Sequence, residues 1–582
     1  MIEKALPGAP ALRIEQTTPL ARTLHIVFFL TPALFYYMTA CRTPGWVDAT
    51  LIVSDVTRLT LSSWVDSHNL FNLLGYFWLK LFPIQDIHFH LVLLSALFGA
   101  LSVYFVFRTV LELTSDVISA GIASLVLMVS HSLWWHSTML EVYTLNSAIL
   151  AVIFFSLARY ERSGKPLYLY LAAFFFGLGC SNHVLMGLLV LAFLAVLIYS
   201  IIRRHPHVGK YLAIAALCFL LGLGLYLFLF IRDMRDELLR QTGGGHESLL
   251  GRAWQALRST FDAATGGKFK QLMFTPGMPV ALKRFWRINF FFMFFLNFPS
   301  PALAMGFYGL WAFWRKSSFR LTFVFFSAAI LTLAVWSANY FVWDMFAFAQ
   351  PVYVMFSIPV GLAAERLLRG PKALRLIFLI LLAPILLLPG FTYAGLPVWY
   401  HDKGFLKGYF ESYPPFSWTA HTWAPVEYII NPNKRSYDKV ERYADAVFAV
   451  LPHGAHFLNS DSRSDYPLRY YYRDLYHVRT DIVHHSLYSP FLGVDEAKGV
   501  AVELKQQLDR GEPVFTASIL YPEKVVLDQL FLLNDPSRSL ETIQGLSTEE
   551  YTSSFPGVDF EKIVLFDAEQ IWIYRLTPKR PT

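Results

Sequence analysis

The sequence predicts a mainly α, polytopic membrane protein of about eleven transmembrane helices, followed by a C-terminal extracytoplasmic α/β domain. Three observations carry that expectation. The 582 residues are 55% hydrophobic and 17% aromatic, with a mean hydropathy of +0.43, more apolar than a soluble domain needs to be. Apolar runs recur from about residue 23 to 395, with Lys and Arg gathered at their ends. Beyond Gly395 hydropathy drops, and short alternating stretches replace the runs.

Residues 1–22 are polar, hold Pro7, Pro10 and Pro19, and read as a cytoplasmic N-terminal tail. The run 23–41 is long enough to span and lacks an A-x-A cleavage signature, so it reads as an uncleaved anchor. Residues 42–83 follow as a first extracytoplasmic loop. Its aromatics are broken by Asp48, Asp55 and Asp66, which makes it too polar to span and too apolar to float free, so it is expected along the membrane surface. Further spans are expected at 88–111, 116–134, 143–160, 167–181, 183–202, 211–231, 285–313, 320–338, 351–366 and 374–395, closing a transmembrane domain over 23–395.

With the N-terminus inside, the short loops RYERSGKP, RRHPHVGK, WRKSSFR and ERLLRGPKALR all fall on the cytoplasmic side, and each carries Lys or Arg. The loop 232–284 is also basic, yet parity places it outside. Long segments translocate with less regard to charge, and its stretch SLLGRAWQALRSTFDAATGGKFKQLMF has the spacing of a helix lying on the membrane surface. In the α/β domain over 396–582, helical stretches at 434–451, PLRYYYRDLYH and 495–510 alternate with the strands HFLNSD, DIVHHSL and PVFTASI, and KIVLFDAEQIWIYRL reads as a hairpin.

Several function classes drop out. The three cysteines, Cys41, Cys180 and Cys218, imply no disulfide framework, and the net charge of +7 sits at span ends and not in a nucleic-acid patch. No Walker-type phosphate loop is present, which argues against an ATP-driven pump. The ends and loops assigned to the outer side collect Asp48, Asp55, Glu141, Tyr143, Asn182, His183, Arg232, Asp233, Arg235 and Asp344. Ionisable groups at span ends are costly, so their gathering on one side marks a candidate site. Carboxylates there suit proton abstraction from a hydroxyl, and arginines suit a departing phosphate without a metal. That pairing fits transfer of a sugar from a lipid-phosphate carrier. Two other readings share the polar outer face: a transporter for a lipid-linked sugar, and a non-catalytic envelope scaffold docking through YPLRYYYRDLYH.

Three stretches resemble a family of multi-spanning bacterial proteins related to protein O-mannosyltransferases, within the GT-C class of membrane glycosyltransferases. They are SLWWHSTMLEVYTLNSAIL with GLGCSNHVLMGLL, then NYFVWDMFAFAQP, and last NPNKRSYDKVERYA with LNSDSRSDYPLRYYYRDLYHVRTDIV. The resemblance implies a GT-C-like fold, a polyprenyl-phosphate sugar donor, and a protein or glycan acceptor on the outer face of the cytoplasmic membrane. With arginines to neutralise the phosphate no cofactor is expected, and a divalent metal stays open as the alternative. The resemblance makes Asp48 the catalytic carboxylate or its close partner, with Glu141 a second catalytic candidate in the same cavity. Asn182, His183, Arg232 and Asp344 match positions expected to line the same substrate cavity, and the outward polar face adds Asp55, Tyr143 and Arg235 as expected substrate-binding residues. The first loop departs from the family: WVDSHN, Trp64 to Asn69, stands where H-P-P-G-Y-P is usual, and Ala49, Thr50 and Leu51 replace Ser-Gly-Glu.

Overall fold

The structure is a computed structural model that describes residues 19–46, 48–64, 67–82, 86–205, 207–240, 249–264, 280–340, 345–404, 425–460, 465–486, 494–519, 523–544, 546–566 and 571–579. The tail over 1–18, Asp66, Asp344 and the loop portions 241–248 and 265–279 lie outside the described residues. Two compact units emerge, one of Met1–Ala40, Asp55–Phe405 and Ile429–Arg435, the other of Cys41–Ser54, Leu406–Tyr428 and Ser436–Thr582. The units interleave in sequence. Part of the first loop belongs with the C-terminal chain, and a short piece beyond residue 395 belongs with the membrane helices.

The first unit is helical. In chain order its helices are α1 (Pro19–Thr39), α2 (Asp48–Arg58, which begins in the second unit), α3 (Asn69–Leu81), α4 (Ile87–Thr114), α5 (Val117–Met128) and α6 (His131–Thr138). Then come α7 (Tyr143–Ser163), α8 (Leu167–Cys180), α9 (Val184–Gly187), α10 (Val190–Arg204), α11 (Val208–Arg240) and α12 (Leu249–Ala264). The unit continues with α13 (Val280–Asn297), α14 (Ala302–Trp314), α15 (Arg320–Ser337), α16 (Met345–Phe348), α17 (Gln350–Leu368) and α18 (Lys372–Lys403).

Among the described residues six helical segments are long and apolar enough to cross a membrane, and counting each of two bent pairs as one span raises the number to eight. One pair is α5 with α6, bent by 62°; the other is Arg287–Asn297 with α14, bent by 96°. The sequence reading treats each apolar run as one straight span, whereas the chain breaks some of them. The run 183–202, for example, divides into α9 and α10. Local chemistry fixes several ends: Asp86 caps α4 by accepting from Phe89 N at 2.9 Å, and Asp116 caps α5 by accepting from Ser119 N at 3.1 Å.

Burial sorts helices that hydropathy alone does not. The apolar windows of α7 and α17 are 83% buried, whereas those of α11 and α18 are 17% buried. Thus α7 and α17 form the centre of the bundle, and the outer helices present Leu and Phe side chains outward, as a lipid-facing surface does. Helices α8 and α11 pack backbone to backbone: a Cβ at Gly177 would run into the Phe219 carbonyl, and one at Gly222 into the Phe174 carbonyl.

The bundle has two distinct polar ends. At one, buried Glu112 pairs with Arg159 at 3.0 Å and Arg162 at 3.5 Å, and Glu365 pairs with Lys316 at 2.7 Å and Arg369 at 3.0 Å. Glu161 joins them by accepting from the backbone N of Leu321 and Thr322, both at 2.8 Å. These are the cations of the loops read as cytoplasmic. At the other end, Ser95 of α4 bonds the backbone of Glu141. Ser95 and Glu112 are separated along α4 by roughly 25 Å at the α-helical rise, close to the thickness of a bilayer core.

The second unit carries a five-stranded sheet in the order β2-β1-β3-β5-β4, with β1 (His456–Leu458), β2 (Val483–His485), β3 (Val514–Thr516), β4 (Val558–Phe566) and β5 (Ile571–Pro578). Strands β1, β2 and β3 run parallel, and β5 runs antiparallel to β3 and β4. One face, with Leu458, Val514 and Leu576, packs on the Val494–Asp509 and Glu523–Asn534 helices. The tyrosine-rich stretch forms a π-helix, Pro467–Leu475. The early segment joins this unit through Trp46, 1% exposed, whose indole N–H donates to Tyr437 Oη at 2.6 Å.

Candidate functional site

At the Ser95 end of the first unit, a polar network is built around the start of α3. Asn182 lies just past the end of α8 and is 1% exposed. Its Oδ1 accepts from Phe71 N at 3.2 Å, satisfying one of the N–H groups that the first turn of α3 leaves unpaired, and its Nδ2 donates to Asn146 Oδ1 at 3.1 Å. Asn69 and Asn72, three residues apart on one face of α3, hold the preceding loop. Asn69 exchanges bonds with Ser62, from Ser62 N at 3.0 Å and to Ser62 O at 2.7 Å, and Asn72 Nδ2 donates to Thr60 O at 3.3 Å.

The same loop is clamped to α11. Arg232 donates to the Leu61 carbonyl at 2.6 Å and grips Asp233 Oδ1 through Nε at 2.9 Å and Nη2 at 2.6 Å. Asp233 Oδ2 accepts from Ser63 N at 2.6 Å. This pair is part-buried, so its charge-assisted bonds are shielded from full solvent screening.

Beside the amides stands a box of rings. Tyr143, the first residue of α7, has its ring centroid 5.3 Å from His183, 5.5 Å from His136 and 5.4 Å from Phe348. His68, in the loop before α3, stacks on His183 at 5.3 Å with 20° between the planes. His183 Nδ1 accepts from Leu185 N, which puts the proton of the neutral ring on Nε2. Burial holds the His68 imidazole neutral, its pKa pushed down to about 4. The box is thus made of ring faces packed on one another, with the Asn182 and Asn146 amides in the adjoining network.

The structure brings Tyr143, Asn182 and His183 together, and ties Arg232 to the loop that carries His68. Glu141 is two residues before Tyr143 at the start of α7, with its backbone fixed by Ser95; a carboxylate there complements the positive end of the helix. Arg235 turns away into an exposed pair with Asp236 at 2.8 Å. Asp48 and Asp55 lie seven residues apart on α2, Asp48 within the second unit and Asp55 within the first. Asp344 lies outside the described residues. Sequence reasoning missed His68, Asn69, Asn72, Asn146 and His136 as site residues. The spacing of Asn69 and Asn72, one helical turn apart within an apolar stretch, is the signal that was available for two of them. Among the described residues, no group of three or more His, Cys, Asp or Glu is placed to hold a metal ion.

Residues 68–208 match the family model described as the protein O-mannosyl-transferase TMEM260 N-terminal domain. The protein O-mannosyl-transferase TMEM260 of Mus musculus is 25% identical over 230 residues, which cover 39% of this chain and 32% of the mouse protein. The match thus spans about a third of that relative's length. The crystal structure of ArnT from Cupriavidus metallidurans bound to undecaprenyl phosphate aligns with a TM-score of 0.54 at 12% identity, covering 94% of this chain and 97% of that one. This last likeness is one of fold. The segment matched by the family model contains His68, Glu141, Tyr143, Asn182 and His183, whereas Asp48, Asp55 and Arg232 lie outside it.

Proposed function

Starting from a chain related to the O-mannosyltransferases of the GT-C class, we propose that this protein transfers a sugar from a polyprenyl-phosphate donor to an extracytoplasmic hydroxyl, on a protein or an envelope glycan. The observation that carries the reading is that the segment matching an O-mannosyl-transferase domain is the one whose Tyr143, Asn182 and His183 gather with His68. The undecaprenyl phosphate in the ArnT structure supports a lipid-phosphate donor.

In this mechanism the acceptor oxygen attacks the anomeric carbon, its proton passes to a carboxylate base, the role that the family resemblance gives Asp48, and the bond from that carbon to the phosphate oxygen breaks. The products are the glycosylated acceptor and free polyprenyl phosphate. Positive charge builds on the sugar and negative charge on the leaving phosphate. Arg232 is assigned to that phosphate: its recorded bonds use Nε and Nη2, leaving Nη1 without a partner among the described residues. Glu141, before the start of α7, and the ring box with its amides orient the sugar. The reaction is written without a metal. The N-terminus is assigned to the cytoplasm of a cell with a polyprenyl-carrier pathway, and the second unit to the outer face.

Purified protein in lipid nanodiscs, incubated with radiolabelled polyprenyl-phosphate sugars and a hydroxyl-bearing peptide or glycan, tests this. Transfer is expected, and Asp48→Asn should reduce it roughly 100-fold or more. Unchanged transfer by that variant removes Asp48 from the mechanism. No transfer from any lipid-phosphate sugar overturns the reading.

A further inference from the structure

The second unit holds a feature that the proposed function does not use. Its three parallel strands are ordered β2-β1-β3, so the chain leaves β1 toward β2 and returns across it to β3. In parallel sheets of this winding, ligands bind outside the carboxyl ends of the strands where the order reverses, here between β1 and β3. The residues at that end are polar and buried. Asn459 follows β1 with no exposure, and Ser460 N donates at 2.9 Å to Oε1 of Glu523, a fully buried carboxylate that opens the helix after β3. Asp465, 1% exposed, bonds Arg469 at 2.7 Å across one turn at the start of the π-helix. On β2, opposite Phe457 of β1 and close to Asp465, is His484, whose side chain is fully buried.

Burying this many ionisable groups is costly unless every polar atom is satisfied. Here some are not. Among the described residues Asp465 Oδ1 and both ring nitrogens of His484 have no hydrogen-bond partner, and Asp465 Oδ1 stands 3.7 Å from His484 Nδ1, too far for a direct bond. A hydroxyl both donates and accepts, so one hydroxyl can serve the acceptor on Asp465 and a nitrogen of His484 together. A phosphate fits badly. Two buried carboxylates oppose its charge, Arg469 is already paired with one of them, and the chain after β1 reads Asn-Ser-Asp-Ser-Arg-Ser-Asp with no glycine-rich phosphate loop. A π-helix beside such a cluster is itself more frequent at functional sites than elsewhere.

We infer that the carboxyl ends of β1 and β3, bordered by Glu523, Asp465, Arg469 and His484, bind an uncharged hydroxyl-rich ligand, a saccharide, within the second unit alone. This binding does not depend on the transfer reaction proposed above.

Saturation-transfer NMR on the full chain, in nanodiscs free of glycoside detergents, tests the inference with methyl hexopyranosides as probes and inorganic phosphate as the anionic control. A saturable hexoside signal with a dissociation constant on the order of 1 mM is expected, with none from phosphate. Asp465→Asn and Glu523→Gln should each weaken it roughly tenfold, while Asn182→Ala in the first unit leaves it unchanged. If Asp465→Asn alters amide exchange in β1, His484→Phe, which keeps the ring volume, carries the same expectation. A missing hexoside signal, a phosphate signal, or a signal lost in Asn182→Ala but retained in the second-unit variants overturns the inference. Loss of sugar transfer with hexoside binding intact would instead count against the proposed function alone.

Discussion

Arg232 shows how a residue's chemistry is set by neighbours the sequence does not place beside it. Its position at the end of an apolar run identifies it as a polar group with work to do. The bond it donates to the Leu61 carbonyl, and the one its neighbour Asp233 accepts from Ser63 N, reach a loop about 170 positions upstream, and only folding supplies those partners. Asp233→Asn should remove one charge-assisted bond from the clamp and cost about 1–3 kcal/mol of stability. Thermal unfolding in nanodiscs measures that cost. Arg232→Ala should cause a similar loss, and in addition raise the KM for the lipid-phosphate donor if Nη1 meets the phosphate. Equal effects of the two substitutions on donor KM would leave Arg232 as a loop anchor only. Asn182 gives the same lesson: its place in the N-H pair is visible in the sequence, but its bond to Phe71 N, 111 residues away, is not.

Among the elements, α8 and α11 carry the clearest packing constraint. Both read as ordinary apolar runs, yet their contact has room only for hydrogen at Gly177 and Gly222. Because the obstructing atoms are backbone carbonyls, no rotamer change relieves a clash, and the helices must separate. Gly222→Ala is expected to destabilise the first unit by about 1–3 kcal/mol, read as a lower unfolding temperature, whereas Gly224→Ala on the same helix, where a Cβ meets open space, should cost little. The separation matters for the site because Ser181 Oγ, next to Asn182, donates to the Gly222 carbonyl. The α-helical periodicity of these runs was legible; which faces meet was not, since hydropathy is nearly uniform around them. In the second unit the strands HFL, VHH and VFT were legible from alternation and turn residues, whereas the Glu523–Asn534 and Thr548–Ser554 helices were not picked out.

For the molecule as a whole, acid should loosen the second unit through a buried histidine. His485 sits behind β1 with Nε2 2.9 Å from His456 Nδ1 and Nδ1 3.6 Å from Glu503, while His456 Nε2 lies 3.1 Å from Glu512. Burial, then the His456 and His484 rings, push its pKa down to about 4. The folded state thus binds fewer protons than the unfolded chain between that value and the ordinary histidine pKa. Stability from this site is fully present above about pH 6.5 and is lost as pH falls toward about 4, by on the order of 2 kcal/mol. Hydrogen exchange of β1 amides, corrected for its intrinsic pH dependence, should show the loss, and His485→Gln should flatten it.

Composition and the period of apolar residues, by themselves, determined that the chain is a helical membrane protein followed by a less apolar α/β region, because transfer of side chains into lipid or a core depends on local sequence. The motifs were enough to point to the likeness that residues 68–208 show to an O-mannosyl-transferase domain. Only the tertiary structure decided which helices are central, that residues 41–54 belong with the C-terminal unit, and that Tyr143, His183 and His68 share one box. Those outcomes rest on hydrogen bonds and ring contacts between segments far apart in the chain, and the free energy of such contacts exists only once the backbone has brought the partners together.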